Sequence, residues 1–181
     1  MHVFLQGPRN IGKSMVILRA LELLAMRKPL ALGGFFTWKG GEGDPHVYMR
    51  AAGLNGDGEK FRLARWDPGA GRLVCDIRVF EEIGAGILSQ REGADLIIMD
   101  ELGRLESDAQ VFKQAVLDTL AGGIPVLGTL RIGDIPWHAS IKRNPRVALI
   151  NVNEENRNAL PYELLPLFAS VQGLSENWDL P

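Results

Sequence analysis

Short apolar runs alternate with longer stretches of helical periodicity along most of the chain. The apolar runs predict strands at HVFL (2–5), LALGGFFT (30–37), DLIIMD (95–100), IPVLGT (124–129) and VALINV (147–152). Apolar spacings of three and four residues predict helices over 13–28, 107–120 and about 154–171. Strands that alternate with helices of this length predict a mainly parallel sheet in a three-layer α/β/α sandwich.

One segment, at about residues 38–76, departs from this alternation. Ten of the 21 glycines fall between Gly33 and Gly71, among short alternating stretches such as HVYMRAA and KFRLARW. This pattern is typical of antiparallel hairpins. We therefore expect one domain over residues 1–181, with a glycine-rich hairpin insert after the second strand.

The composition narrows the function classes. The chain has 20 Lys+Arg against 22 Asp+Glu and no run of basic residues, so neither nucleic acid nor an anionic membrane is an expected partner. Cys75 is the single cysteine and the three histidines are scattered, which excludes an internal disulfide and argues against a zinc site. The sequence begins without a leader pattern, and its most apolar helix is too short for a bilayer. We expect a soluble cytoplasmic protein.

The clearest motif lies between the first strand and the first helix. It matches GxxxxGK[ST] and consists of Gly7, Pro8, Arg9, Asn10, Ile11, Gly12, Lys13 and Ser14. Backbone N–H groups of such a loop, together with the start of the following helix, converge on phosphate oxygens. Lys13 is expected to reach the β- and γ-phosphates, and the Ser14 hydroxyl to bind Mg²⁺. Arg9 is expected to point to solvent.

Two acids, Asp100 and Glu101, stand at the carboxyl end of the apolar run LIIMD. In parallel α/β sheets ligands bind at this edge. Asp100 is expected to hold Mg²⁺ through its water shell, and Glu101 to orient or deprotonate an attacking water. Thr129 ends a neighbouring strand, where its hydroxyl would contact either the phosphate and water or the local backbone.

These segments together resemble the cancer-related nucleoside-triphosphatase family of small P-loop NTPases. HVFLQGPRNIGKS is similar to the family's N-terminus, GGFFT (33–37) to its Gly-Phe-Tyr-Thr segment, DELGRLE (100–106) to its Asp-Glu-Ile-Gly-x-Met-Glu signature, and NVNEENRN (151–158) to its Glu-Asn-Arg block. The resemblance covers nearly the whole chain in the same order. It implies a P-loop fold and slow, Mg²⁺-dependent hydrolysis of nucleoside triphosphates (ATP, GTP and others) with broad base tolerance.

The resemblance also assigns residues. It supports Lys13 and Ser14 on phosphate and metal, Asp100 on metal and Glu101 as base, and it makes Glu106, Asn156 and Arg157 candidates for structure or nucleotide contact. Met15 completes the nucleotide-binding set, although the family usually has a second hydroxyl residue there. Trp38, Lys39, Gly40 and Gly41 replace the family's Glu and Arg, so no substrate or regulatory contact of those residues is carried over to this chain.

Several side chains have two alternative roles. Arg157 would either stabilise charge on the transferred phosphoryl group or tie the start of the last helix to carboxylates, and we favour the second; Arg131 is its rival for the first. Trp38 and Trp66 would stack on a base or, as we favour, cover a small apolar patch. Trp137 and His138 would close over the nucleotide or, as we favour, lie in a surface loop. Cys75 is expected to be buried.

Two other functions remain as alternatives to hydrolysis. A kinase would move the γ-phosphoryl group to a small molecule or a nucleic-acid end, which requires an acceptor pocket. A nucleotide-controlled switch would use hydrolysis to time a partner interaction. The sequence contains no NKxD guanine-reading motif, so we expect weak base discrimination.

Overall fold

The computed structural model describes residues 1–53 and 58–168, and within them the chain forms one eight-stranded sheet. The strands are β1 (His2–Gly7), β2 (Leu32–Lys39), β3 (Val47–Ala51), β4 (Phe61–Asp67), β5 (Arg72–Cys75), β6 (Leu96–Leu102), β7 (Val126–Arg131) and β8 (Val147–Asn151). The helices are α1 (Lys13–Ala25), α2 (Ala85–Ser89), α3 (Gln110–Ala121), α4 (His138–Lys142) and α5 (Leu160–Leu164), with a π-helical segment at Val79–Gly84.

The sheet order is β5-β4-β3-β2-β6-β7-β1-β8. Neighbouring strands in the row β2-β6-β7-β1-β8 pair in parallel, and neighbouring strands in the row β5-β4-β3-β2 pair antiparallel. Because parallel strands end at one edge, the loop after β1 and the acidic end of β6 meet at the same side of the sheet. The predicted fold class, a three-layer α/β sandwich with a mainly parallel sheet, is confirmed.

Apolar side chains on both sheet faces pack beneath helices. Along β1, Val3 and Leu5 lie in a core with α1 and α5, while Phe4 lies in a second core with α3. All three are fully buried, as expected for a central strand covered on both faces. No helix in the described ranges is long and apolar enough to cross a membrane.

The hairpin insert continues the main sheet instead of folding away from it. Its first strand, β3, pairs antiparallel with β2, which runs on to Lys39 beyond its predicted end. Strands β4 and β5 then extend the sheet edge. The insert therefore stands beside the strand ends that carry the candidate site. The division into one domain with an insert stays a prediction.

The predicted helix over 154–171 is wrong in its first part. Residues 154–159 form turns, and α5 begins only at Leu160. The Asn153 carboxamide accepts hydrogen bonds from the N–H groups of residues 155 and 156, at 3.0 and 2.9 Å, which favours a turn over a helix. Pro161 suits the first turn of the helix that follows. Residues 169–171 lie outside the described residues.

The short helical elements between residues 79 and 89 and at α4 were not predicted. Each has only five or six residues, too few to show helical periodicity. Helix α3 begins at Gln110, three residues after its predicted start. None of these differences changes the sheet.

Gly34 should be indispensable for pairing β2 with β6. Its φ is +82°, and a Cβ there would lie 1.9 Å from the Ile98 carbonyl oxygen. We expect Gly34→Ala to lower the free energy of unfolding by about 4 kcal/mol or more, or to prevent folding. Gly93→Ala is the matched control, because Gly93 has a φ of +79° with no described atom within 4 Å of the added Cβ. Gly93→Ala should lower the free energy of unfolding by only about 1 kcal/mol. Equal losses in urea unfolding would contradict the packing argument.

Candidate active site

A cleft of about 1100 Å³ opens at the carboxyl edge of the sheet. The loop at 7–14, the ends of β2, β6 and β7, and the insert line it. Of the predicted nucleotide-binding residues, it includes Gly7, Pro8, Arg9, Asn10, Gly12, Lys13, Ser14 and Met15. Ile11 instead packs against the core beneath α1, and Arg157 is not among the lining residues.

The loop at 7–14 closes around the side chain of Lys13. Only 8% of Lys13 is exposed, and its Nζ donates to the carbonyl oxygens of Gly7 and Pro8, each at 3.0 Å. Helix α1 starts at Lys13 without a side-chain cap or an acidic residue in its first turn. Its first N–H groups and the positive end of its dipole are therefore available to an anion.

Asp100 is buried at the end of β6, with 2% of its surface exposed. The Thr129 hydroxyl donates to its Oδ1 at 2.7 Å. Burial raises the pKa of Asp100, while hydrogen bonds from Thr129 and Ser14 and the charge of Lys13 oppose that rise. Thr129 thus contacts the predicted metal-binding carboxylate, a role that neither sequence interpretation included.

Glu101, the next residue, lines the cleft and keeps part of its surface exposed while neighbouring groups surround its carboxyl. Its backbone N–H donates to the Thr37 hydroxyl at 2.9 Å, which ties β6 to the end of β2. Partial burial of the carboxyl raises the pKa of Glu101, and the charge of Asp100 adds to this, whereas Lys13 and Arg131 lower it. A carboxylate with a raised pKa is a stronger base toward water.

The segment after Glu101 is held at Gly103 from two sides. The buried Glu106 carboxylate accepts a hydrogen bond from the Gly103 N–H, and the Trp137 indole donates to the Gly103 carbonyl at 3.0 Å. Burial raises the pKa of Glu106 to about 7. Glu106 therefore supports the segment that carries the two acids.

Trp137 and His138 do not belong to an exposed surface loop, which corrects the favoured interpretation. Trp137 is partly buried against the core and bonds Gly103 through its indole, and His138 is fully buried. Burial lowers the pKa of His138 to about 4, so its ring is neutral at physiological pH. Cys75 is only partly buried.

Trp38 and Trp66 line the cleft and remain 36% and 40% exposed. They do not simply cover a closed apolar patch, as favoured from the sequence. Both are within the insert or at its start, so the insert contributes aromatic surface to the site.

The two candidate arginines occupy different places. Arg131 lines the cleft beside Gly103, and its charge acts on Glu101. Arg157 lies against the phosphate loop, since a Cβ on Gly12 would be 4.0 Å from Arg157 Cδ. Arg157 forms no ion pair within the described ranges, and the helix starts three residues later, so the expected tie to carboxylates is wrong. Asn156 is structural: its side chain bonds the backbone of residues 151 and 153.

The donor set fits a hard divalent cation that arrives with other ligands. Within residues 1–53 and 58–168 no group of three or more His, Cys, Asp and Glu side chains could hold a metal alone. Asp100 and Ser14 supply one carboxylate and one hydroxyl, and both line the cleft. Such a set suits a cation that keeps several waters and takes phosphate oxygens as further ligands.

A phosphate loop before α1, a buried aspartate at the end of a parallel strand and an adjacent glutamate define the site of a P-loop nucleotide-binding protein. A family model described as NTPase matches residues 2–165. The chain belongs to this NTPase family, which confirms the resemblance found in the sequence.

Curated relatives span the same length. The chain is 29% identical over 178 residues to the nucleoside-triphosphatase THEP1 of Thermotoga maritima, covering 96% of this chain and 98% of that protein. It is also 29% identical over 175 residues to the human cancer-related nucleoside-triphosphatase, covering 88% and 92%. The solution structure of a human cancer-related nucleoside triphosphatase superposes with a TM-score of 0.74 at 27% identity, over 97% of this chain and 99% of that one.

The ionisation of Glu106 should make stability depend on pH. Its pKa is about 7 in the folded protein against an ordinary value of 4.5, so the folded state binds the proton more tightly. The free energy of unfolding should therefore fall as the pH rises through this window, by about 3 kcal/mol in total. Glu106→Gln removes the titration, and its amide oxygen can still accept from Gly103.

Urea unfolding across this pH window checks the prediction. The stability of Glu106→Gln relative to the unmodified protein should rise with pH between the two pKa values. A constant difference would contradict the assigned pKa. Glu92→Gln, which changes an exposed carboxyl, is the matched control and should show no such trend.

Proposed function

We propose that the chain hydrolyses nucleoside 5′-triphosphates to diphosphate and phosphate, with Mg²⁺ and with little preference among bases. The observation that carries the proposal is the convergence of Lys13, Ser14, Asp100 and Glu101 on one cleft. Family membership and the names of the curated relatives support the same activity.

Lys13 begins the proposed sequence of events. Its ammonium group exchanges the carbonyl oxygens of Gly7 and Pro8 for oxygens of the β- and γ-phosphates. The N–H groups at the start of α1 bind the same phosphates. Ser14 and Asp100 would hold Mg²⁺, which neutralises charge on the phosphates when bound.

Glu101 acts as the general base. Its carboxylate orients a water for in-line attack on the γ-phosphorus and accepts its proton, while the bond from that phosphorus to the bridging oxygen breaks. The raised pKa of Glu101 suits this role. Arg131, beside Glu101, stabilises charge on the transferred group, and Arg157, beside Gly12, contacts the bound nucleotide.

Weak discrimination among bases is expected because the sequence has no NKxD motif. The same assay tests this expectation and the hydrolytic activity. Purified protein is given ATP, GTP, CTP and UTP separately, with Mg²⁺ or with a chelator, and released phosphate is measured. Release from all four at similar slow rates, abolished by the chelator, is expected. Release from one nucleotide alone would contradict the broad tolerance, and no release despite binding would contradict the hydrolase and favour a kinase or a switch.

Lys13→Ala and Glu101→Gln should separate binding from chemistry. Lys13→Ala should abolish productive triphosphate binding, because the phosphates lose their buried cation. Glu101→Gln should keep the binding affinity and lose about 10²–10⁴-fold in kcat. Calorimetric affinity and steady-state phosphate release check both. A Glu101→Gln protein with near-normal kcat would remove Glu101 from the role of base.

Arg131→Ala and Arg157→Ala should have different kinetic effects. Arg131→Ala should lower kcat because the transferred phosphoryl group loses a neighbouring charge, whereas Arg157→Ala should mainly raise KM. Arg143→Ala is the control, as Arg143 is exposed and is not among the residues that line the cleft. If the two effects were exchanged, the roles assigned to the arginines would be exchanged as well.

A further inference from the structure

An aromatic and cationic surface lies on the insert side of the cleft. We call it the aromatic–cation face, and it consists of Phe36, Trp38, Tyr48, Arg50 and Lys60. Phe36 pairs with Arg50 and Trp38 pairs with Tyr48 across β2 and β3, so the four share one sheet face. Phe36 packs against the core beneath α1, which places this surface on the α1 side.

The side chains of this face are ordered by mutual contacts. The Arg50 Cζ lies 6.0 Å from the centre of the Phe36 ring and 5.9 Å from that of Trp38. The Trp38 and Tyr48 rings stack at 5.8 Å, and the Lys60 Nζ lies 4.8 Å from the Tyr48 ring. Rings and cations thus form one continuous surface, of which all but Tyr48 line the cleft.

The first turns of α1 supply a facing apolar rim. Met15 and Leu18 line the same cleft and are 67% and 40% exposed, and Trp38 is 36% exposed. Apolar side chains exposed singly are common, but three large ones exposed in one concavity indicate a surface that binds a ligand. Their combination with cations suits a molecule that has both a planar ring and a negative charge.

Basic side chains outnumber acidic ones in the described lining of this part of the cleft. Between residues 36 and 80, the described lining residues include Lys39, Arg50 and Lys60 but no acid. The nearby Asp44 is not a lining residue, and its carboxylate accepts a hydrogen bond from the Tyr48 hydroxyl at 2.8 Å. An anionic group is therefore the expected occupant, with the phosphate of a small molecule as the best match to an Arg and a Lys.

The position of the face relative to the reaction follows from the sheet order. Moving away from the phosphate loop after β1, the strand ends present Thr129, then Asp100 and Glu101, then Thr37 and the insert. In-line attack places the entering group opposite the departing nucleoside diphosphate. If Glu101 holds that entering group, the insert lies on the attack side of the γ-phosphate.

The cleft volume of about 1100 Å³ is at the upper end of the roughly 300–1,000 Å³ usual for ligand pockets. A polynucleotide is a poor match, because the chain carries a formal net charge of −2 and no basic run. A single phosphorylated nucleoside has a ring that suits the aromatic side chains and a phosphate that suits the cations.

We propose that the aromatic–cation face is a second binding site, which takes a nucleoside monophosphate on the attack side of the bound triphosphate. The phosphate of this ligand lies on Arg50 and Lys60, and its ring lies between Trp38 and the rim formed by Met15 and Leu18. The position of this ligand on the attack side rests on the proposed function, in which Glu101 holds the entering group. Binding of the monophosphate itself does not require hydrolysis.

The test is calorimetric titration of AMP, CMP, GMP and UMP into protein already saturated with Mg²⁺ and a β,γ-imido triphosphate. One monophosphate should bind per chain in the presence of the triphosphate. Adenosine has the base without the phosphate, and ribose 5-phosphate has the phosphate without the base. Each should bind at least about tenfold more weakly than the monophosphate.

Three variants locate the site. Trp38→Leu and Lys60→Met should each weaken monophosphate binding about tenfold or more, because each removes a group that contacts the ligand. Arg65→Met is the matched control: Arg65 is an exposed insert residue that lies near Asp67 and is not among the lining residues. Circular dichroism and Tm confirm that all three variants are folded.

Absence of monophosphate binding to the triphosphate-saturated protein would overturn the proposal. So would binding that Trp38→Leu and Lys60→Met leave unchanged, or binding that the triphosphate analogue abolishes by competition. Phosphate release from ATP by the same preparation is recorded in parallel. Failure of hydrolysis with intact monophosphate binding would refute the proposed function and leave the second site; the reverse would refute only the second site.

Discussion

The hydrogen bond from Thr129 to the buried Asp100 joins the ends of β7 and β6 at the centre of the site. A carboxylate removed from water is unfavourable unless neighbouring groups compensate for its lost hydration. Here the compensation comes from a hydroxyl on β7, from Ser14 at the start of α1 and from the charge of Lys13. Two elements, β7 and the start of α1, are therefore linked to the end of β6, and α1 is the helix that follows the phosphate loop.

The three carboxyl groups near this edge, Asp100, Glu101 and Glu106, all have raised pKa values, and burial is the largest cause for each. Each would gain from additional positive charge. A metal-bound nucleotide supplies a cation for Asp100 and anions for Lys13 at the same time. Binding of such a ligand would therefore compensate the charges of Asp100 and Lys13 together, and strongly perturbed pKa values of this kind are typical of functional sites.

The phosphate loop and the acidic pair could be predicted because each is a local pattern with a known position on a strand and a helix. The partnership of Thr129 with Asp100 could not, because it depends on the register of β6 against β7, where Met99 pairs with Gly128. Nothing in the spacing of residues 29 positions apart reveals that register. The misplaced start of α5 has a different cause, since the Asn153 side chain stabilises a turn in a segment of helical composition.

The insert shows a second limit of sequence-based prediction. Its alternating pattern indicates hairpins, and hairpins are present, but the pattern does not say which sheet they join. Because β3 pairs with β2, the insert becomes a wall of the cleft instead of a separate lobe. Trp38 and Trp66 consequently face the site and not a patch of their own.

Asp100 should couple a divalent metal to triphosphate binding. The most direct measurement is the affinity for a non-hydrolysable triphosphate with and without Mg²⁺, in the unmodified protein and in Asp100→Asn. The account predicts that Mg²⁺ tightens binding about tenfold or more in the unmodified protein and has little effect in the variant. Equal tightening in both would contradict it.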